Sequence, residues 1–245
     1  MRKGLINLKV FNKPRQAPCY PVPAIYDMLS QQTHVLIAGK SGSGKSVIIN
    51  GIIYTILSQY SPEQCQLILV DPKRVELSQW KFCPHCITYA SEPGEPAQAL
   101  RKALEITEKR YKIMQRQRIR KYTAGHIYII IDELADLMTT DKQAIIPLLQ
   151  RLAQIGRAAN IHIIAATQCP LSEIIPTKIK VNFDCIVGLK TACKQHSRNI
   201  IGFPGCETLP PYGTGYIISP KQTNLYKLPM IPDTELAKLE TYWTN

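Results

Sequence analysis

The feature that most constrains this chain is a glycine-rich segment of eight residues, GKSGSGKS, from Gly39 to Ser46. An apolar run (HVLIA, 34–38) precedes it, and a stretch of helical length from Lys45 to Tyr60 follows it. Glycines allow successive backbone N–H groups to curl round phosphate oxygens at the positive end of a helix. The spacing fits GxxxxGK[ST], so the sequence predicts a nucleotide phosphate site between a strand and a helix. A simple Gly/Ser turn would not account for Lys45 and Ser46 at the start of a helix.

The predicted site binds ATP and Mg²⁺ through a short run of consecutive residues. The Lys45 ammonium would reach the β- and γ-phosphates, and the Ser46 hydroxyl would be a ligand of Mg²⁺. The predicted nucleotide-binding residues are Gly39, Lys40, Ser41, Gly42, Ser43, Gly44, Lys45, Ser46 and Val47.

A pair of acids, Asp132 and Glu133, follows the apolar run IYIII at 127–131. Open parallel sheets bind their ligands at the carboxyl ends of the strands, which is where this pair is expected. We predict that Asp132 holds Mg²⁺ through a bound water and that Glu133 acts as general base on the attacking water. Either acid alone also fits another interpretation, in which it complements the dipole at a helix start.

Three further polar residues are candidates with two open interpretations each. Gln168 follows the apolar run 161–167 and could sense the γ-phosphate, although a polar turn at a strand end explains it equally well. Arg151 and Arg157 lie off the apolar face of a helix predicted over 142–159. Either could act on a neighbouring subunit as an arginine finger. Judged from the residues alone, a solvated helix face is favoured.

Apolar runs alternate with segments of helical length along most of the chain. Continuous apolar strands that alternate with helices predict an α/β fold, with a mostly parallel sheet covered by helices on both faces. The predicted strands are 34–38, 66–70, 127–131, 161–167, 185–189 and 214–219, and the predicted helices are 45–60, about 95–121, 142–159 and 233–243.

The charge balance points to a polyanionic partner. Thirty Lys and Arg against 18 Asp and Glu give a net charge of +12, which favours nucleic acid first and an anionic membrane surface second. Residues 1–33 are basic and contain four prolines, which predicts an arm without a helix that extends or wraps on the core. Since no apolar run approaches the roughly 20 residues that span a bilayer, we expect no membrane segment and a cytoplasmic location.

The eight cysteines do not predict a metal site or a disulfide framework. Only Cys83-Pro-His-Cys86 has ligand-like spacing, and it supplies two zinc ligands where a structural site needs four. Packing of reduced cysteines is the favoured interpretation.

Six segments together resemble the motor domain of FtsK/SpoIIIE-type DNA translocases. They are HVLIAGKSGSGKS (34–46), LILVDPKRVELS (67–78), EKRYKIM (108–114), IIIDELADLM (129–138), RLAQIGRAANIH (151–162) and ATQ (166–168). The second and fourth segments are more specific than a phosphate loop. The resemblance runs from about residue 34 to the end. It implies a RecA-like P-loop NTPase, with a motor domain over 34–245 that follows the 1–33 arm.

The resemblance also implies an ATPase that assembles as a hexameric ring and pumps double-stranded DNA. Lys45 and Ser46 then have the Walker A role, and Asp132 and Glu133 have the Walker B role. Gln168 is implied to be the sensor.

The resemblance assigns four more residues to positions between subunits or facing DNA. Arg157 stands where the family has its trans-acting arginine, and Arg151 remains the second candidate. Lys180, Lys194 and Arg198 fall in segments that face the central channel, where they would bind phosphates without reading sequence.

Some departures from the family pattern leave the biological role open. Cys169 stands where family members commonly have an arginine after ATQ. The family's membrane-spanning and winged-helix modules are not expected in so short a chain, which favours transfer of plasmid, conjugative-element or phage DNA. Two alternatives stay open. One is a non-motor ATP-dependent coupling protein that brings a relaxase complex to a membrane channel, and the other is a viral genome-packaging ATPase.

Overall fold

A computed structural model describes residues 20–169, 176–220 and 222–244 of the chain. Its strands are β1 (His34–Ala38), β2 (Cys65–Val70), β3 (Cys86–Ala90), β4 (His126–Ile131), β5 (Ile161–Thr167), β6 (Cys185–Leu189), β7 (Thr214–Ser219) and β8 (Gln222–Lys227). Its helices are α1 (Ala24–Ser30), α2 (Lys45–Gln59), α3 (Glu95–Gln117), α4 (Leu134–Thr140), α5 (Lys142–Ala159), α6 (Thr177–Lys180), α7 (Lys194–Ile201) and α8 (Asp233–Thr244).

The eight described strands form one sheet in the order β3-β2-β4-β5-β1-β6-β7-β8. Strands β1 to β6 pair in parallel, whereas β7 and β8 add an antiparallel edge. The predicted α/β fold with a mostly parallel sheet is therefore confirmed. Strand β8 escaped prediction because its residues, QTNLYK, are polar and mostly exposed, so it has no apolar pattern to detect.

The two faces of the sheet are covered by different helices. Alternate strand residues point to opposite faces, so Val35 and Ile37 pack into one core with α1, α2 and α8. Leu36, between them, packs into a second core with α3, α4 and α5. Two-sided burial explains why the central strands read as continuous apolar runs.

The prediction that no helix precedes residue 34 was wrong for α1. Pro23 lies just before the first helical residue, where a missing N–H costs nothing, so it starts this helix instead of breaking it. Tyr26 and Leu29 are completely buried against α2. A Cβ on Gly51 of α2 would lie 2.5 Å from the Tyr26 ring, so only glycine lets the two helices meet this closely. Residues 1–19 lie outside the described residues, and the division at residue 33 stays a prediction.

Helix α3 is shorter than the predicted 95–121. It ends at Gln117 because Arg118 adopts a left-handed conformation, with φ of +56°. The following residues through Lys121 are exposed. Among the described helices, none combines the length and the apolar character that crossing a membrane requires.

Candidate nucleotide site

The glycine-rich loop connects the carboxyl end of β1 to α2, as the sequence predicts. A Cβ on Gly39 would lie 2.6 Å from Ser43 Oγ, and a Cβ on Gly44 would lie 2.8 Å from the backbone nitrogen of Gly213. Gly44 also has φ of +103°, which side chains rarely allow. The Ser43 hydroxyl is fully buried and has no hydrogen-bond partner in the described part of the chain. Gly39 and Gly44 thus stand where a side chain would collide, and the Ser43 hydroxyl inside the loop is unpaired. Both features suit a loop that binds a phosphate group.

Lys45 closes this loop from its own helix. Its Nζ donates to the carbonyl oxygens of Gly39 at 3.0 Å and Lys40 at 3.1 Å. Burial lowers the pKa of Lys45, although Glu133 and Asp132 act in the opposite direction. Among the described residues, the hydrogen bonds of this ammonium go to neutral carbonyls, so it can exchange them for phosphate oxygens, which pair with it more strongly.

Asp132 lies in a concentration of negative charge at the carboxyl end of β4. Burial, followed by the charges of Glu76, Asp71 and Glu133, raises the pKa of Asp132 to about 7. Lys73 is the cation that opposes this shift. The site therefore holds more carboxylates than its own cations balance, which is the electrostatic condition that favours a bound divalent cation.

The residues of this site suit a Mg²⁺ ion whose ligands come from both the protein and the nucleotide. The described residues contain no cluster of three or more His, Cys, Asp or Glu side chains arranged to hold a metal. Mg²⁺ does not need one, because it commonly takes one or two protein groups and completes its shell with phosphates and water. Asp132 and Ser46, the second residue of α2, are the groups that would hold it. When bound, Mg²⁺ would neutralise charge on the phosphates.

Glu133 is buried and held by backbone groups. Its carboxylate accepts from the backbone N–H of Gln168 at 3.1 and 3.2 Å and from that of Ala135 at 3.3 Å. It thus caps the start of α4, as the helix-start interpretation expects. The same bonds fix the carboxylate at the ends of β4 and β5, where a general base would have to stand. Its catalytic role stays a prediction.

Sequence reasoning did not place Lys73 in the site. Lys73 Nζ lies 3.7 Å from Glu133 Oε2 and 3.5 Å from Asp136 Oδ2. Its position in Asp71-Pro-Lys73, directly after β2, could have indicated this. The parallel strands β2 and β4 are neighbours, so residues after their carboxyl ends lie close together. Asp71 Oδ2 accepts from the backbone N–H of Leu77 and the Tyr89 hydroxyl, which holds this loop in place.

Gln168 reaches the site through its backbone. Its N–H donates to Glu133, while its side chain is exposed at the carboxyl end of β5. The side chain is therefore free to approach a ligand, and its sensor role stays a prediction.

Arg157 lies near the amino end of β1, whereas the phosphate loop follows the carboxyl end of that strand. Its Nη2 forms an ion pair with Asp184 Oδ2 at 2.6 Å, and its Nε donates to Thr33 Oγ1 at 3.3 Å. Thr33 precedes β1, whose five residues separate it from the loop by about 17 Å. Arg157 is therefore too far away to act on the loop of its own chain, and its role on a neighbouring subunit stays a prediction. Arg151 pairs with Glu108 of α3 at 3.6 Å and is half-exposed.

The three predicted DNA-binding residues come together around α6 and α7. Lys180 of α6 donates to the backbone oxygen of Asn199 in α7, so its ammonium is already engaged. Lys194 and Arg198 are exposed one turn apart on α7. Their contact with DNA stays a prediction.

The Cys83-Cys86 segment packs as favoured from the sequence. Cys83 Sγ lies 3.3 Å from His85 Nδ1, and His85 Nε2 lies 2.9 Å from the backbone oxygen of Tyr60. Burial raises the pKa of the Cys83 thiol to about 11, so this sulfur packs as a neutral thiol.

Comparisons with known proteins agree with this arrangement. The model of the FtsK/SpoIIIE family matches residues 20–129 and 123–172. A DNA translocase FtsK from Rickettsia prowazekii (strain Madrid E) is 35% identical over 266 residues, which covers 90% of this chain and 35% of that protein. This chain thus spans about a third of the length of that relative.

Solved structures share the fold at lower identity. The pCW3 conjugation coupling protein TcpA, in a monomer form with ATPγS, has a TM-score of 0.75 and 21% identity and covers 87% of this chain and 66% of its own. The cytoplasmic domain of the Thermomonospora curvata type VII secretion ATPase EccC has a TM-score of 0.74 and 19% identity. It covers 86% of this chain and 28% of its own.

Proposed function

Because this chain belongs to the FtsK/SpoIIIE family, we propose that it is an ATPase that translocates double-stranded DNA. One observation carries the proposal: three segments meet at the carboxyl ends of the parallel strands. They are the glycine loop after β1, the acids after β4 and the Gln168 backbone after β5. The curated relative is named a DNA translocase, and this chain covers about a third of its length.

The proposed reaction is hydrolysis of ATP to ADP and phosphate. The loop amides and Lys45 would hold the phosphates, and Asp132 with Ser46 would hold Mg²⁺. Glu133 would accept a proton from the attacking water, because its carboxylate is fixed where the ends of β4 and β5 meet. A phosphate acceptor other than water is not favoured, because the adjacent acids leave a carboxylate free of the metal to activate water.

The position of Arg157 supports a ring rather than a single working chain. Arg157 lies about one strand length from its own phosphate loop, so it can serve hydrolysis only at the loop of a neighbouring copy. We therefore propose a homo-oligomer, with a hexameric ring as the specific form, that works in the cytoplasm where ATP is supplied. Transfer of a plasmid or conjugative element, with a membrane channel or relaxase as partner, stays a prediction.

Exposed cations near the proposed nucleotide site support double-stranded DNA as the track along which the motor moves. Lys194 and Arg198 have no ion-pair partner within 4.0 Å in the described part of the chain, and α7 follows β6 directly beside the glycine loop. Motion of the loop on hydrolysis would therefore be transmitted to α7 over a short path. The net charge of +12 is consistent with a polyanionic track.

The test is ATP hydrolysis with and without long double-stranded DNA, together with the mass of the assembly under both conditions. We expect DNA to stimulate hydrolysis and to accompany formation of a ring. A chain that stays monomeric with DNA and hydrolyses ATP at an unchanged rate would contradict the motor function and favour a non-motor coupling protein.

A further inference from the structure

The turn that precedes β7 packs directly against the glycine loop. The backbone N–H of Gly213 donates to Ser43 O at 3.0 Å, and Gly44 has no Cβ that would collide with Gly213. The residue that follows β6 is also tied to the loop, because the Lys40 N–H donates to Lys190 O at 2.8 Å. The Lys190 ammonium in turn donates to Leu209 O, just ahead of the turn. The turn is therefore fixed beside the loop.

Tyr212 occupies this turn in an unusual conformation. Its φ is +66°, in the left-handed region, which is uncommon for a bulky side chain. The residue is 76% exposed, and its side chain has no hydrogen-bond or ring partner in the described part of the chain. Backbone strain without any packing in return is typical of residues that serve a ligand. Packing among the described residues does not explain why a large aromatic ring stands here.

The sheet order indicates which part of a nucleotide lies near Tyr212. β1, which leads into the loop, is flanked by β5 on one side and by β6 on the other. Asp132, Glu133 and Gln168 all lie on the β4–β5 side, so the γ-phosphate must point that way. The ribose and base, at the other end of the nucleotide, must then leave the loop toward β6 and β7. Tyr212 stands on that side.

We propose that the Tyr212 ring stacks on the base of the nucleotide held by the loop. This inference rests on the proposed function, because it requires a nucleotide in the loop. Stacking on an aromatic ring is tolerant of base identity, since every base has a π face. Tyr212 therefore adds affinity for nucleoside triphosphates as a class and discriminates little between adenine and guanine.

The experiment compares two ligands that differ in having a base. ATP and inorganic tripolyphosphate are titrated against the unaltered chain, Tyr212→Asn and Tyr212→Phe. Asparagine removes the ring and tolerates the left-handed conformation, so the turn keeps its backbone. We expect Tyr212→Asn to weaken ATP binding by at least about fivefold, the equivalent of roughly 1 kcal/mol for a lost stacking contact. We expect Tyr212→Phe to bind ATP like the unaltered chain, and tripolyphosphate to bind all three equally.

A control and three other outcomes decide the matter. Phe82→Asn removes a ring that is 75% exposed just ahead of β3, at the far edge of the sheet, and should change neither affinity. Equal weakening of ATP and tripolyphosphate by Tyr212→Asn would mean that the ring supports the loop, which overturns stacking. Unchanged ATP affinity in Tyr212→Asn would overturn it too. Failure of the unaltered chain to bind either ligand would instead overturn nucleotide binding itself, and stacking with it.

Discussion

The effect of buried negative charge on the stability of this site can be tested at Asp132. Its carboxyl group is buried among Asp71, Glu76 and Glu133, and this environment raises its pKa to about 7. An ordinary aspartate has a pKa near 3.9, so the folded chain keeps a proton here that the unfolded chain gives up. Asp132→Asn replaces this group with a neutral side chain of the same shape, which carries no such penalty.

The magnitude follows from the interval between the two pKa values. Between about pH 4 and pH 7 the folded chain binds more protons than the unfolded chain, so the free energy of unfolding falls as the pH rises. Each pH unit costs about 1.4 kcal/mol, so the total loss is on the order of 4 kcal/mol and stays constant above pH 7. Asp132→Asn should therefore be more stable than the unaltered chain by up to about 4 kcal/mol at pH 8, and equally stable near pH 4.

The assay is urea unfolding at several pH values between 4 and 8, without nucleotide or divalent cation. Asp136→Asn is the matched control, because its carboxylate also approaches Lys73 but its side chain is 39% exposed. The control should show no gain in stability that grows with pH. Adding Mg²⁺ and ATP at pH 8 should stabilise the unaltered chain more than Asp132→Asn, because a bound cation favours the ionised carboxylate.

Two results would refute this reasoning. One is a stability difference between Asp132→Asn and the unaltered chain that is the same at pH 4 and pH 8, which would mean that the effect is not linked to a proton. The other is a destabilised Asp132→Asn at pH 8, which would mean that the charged carboxylate has favourable partners that outweigh its burial.

Three further predictions address the loop and the reaction. Glu133→Gln should keep ATP affinity and lower turnover at least about 100-fold, because it removes a general base; retained turnover would exclude that role. Gly44→Ala should lower the free energy of unfolding by about 1–3 kcal/mol more than Gly42→Ala, since both have positive φ but only a Cβ at Gly44 collides with backbone. Equal losses in urea unfolding would show that the collision is relieved. Arg157→Ala should abolish DNA-stimulated hydrolysis, and mixing this variant with Glu133→Gln chains, which supply the missing arginine, should restore it. A mixture without activity would contradict action between subunits.

Local sequence patterns predicted the elements whose signal is strong and self-contained. β1, β5, β6, β7 and α5 have the bounds expected from their apolar runs and helical periodicity. The elements α1, α4, α6, β3 and β8 were not predicted, because each is short or polar and is stabilised by what it packs against. α1 depends on the fit of Tyr26 over Gly51, which are 25 positions apart in sequence and show no shared pattern. Likewise, Lys73 joins the site only because β2 and β4 are neighbours in the sheet.

The sequence by itself determined the phosphate loop, the acids after β4 and the class of fold. Those features are local, because a glycine spacing or an apolar run acts through neighbouring residues. The tertiary structure alone decided which distant groups share a site. It buries Asp132 and surrounds it with three other carboxylates, which together raise its pKa. It also separates Arg157 from its own loop by the length of a strand, and it sets Tyr212 beside Gly44. Charge, distance and steric fit between remote residues depend on how strands are ordered in the sheet, and no stretch of sequence contains that order.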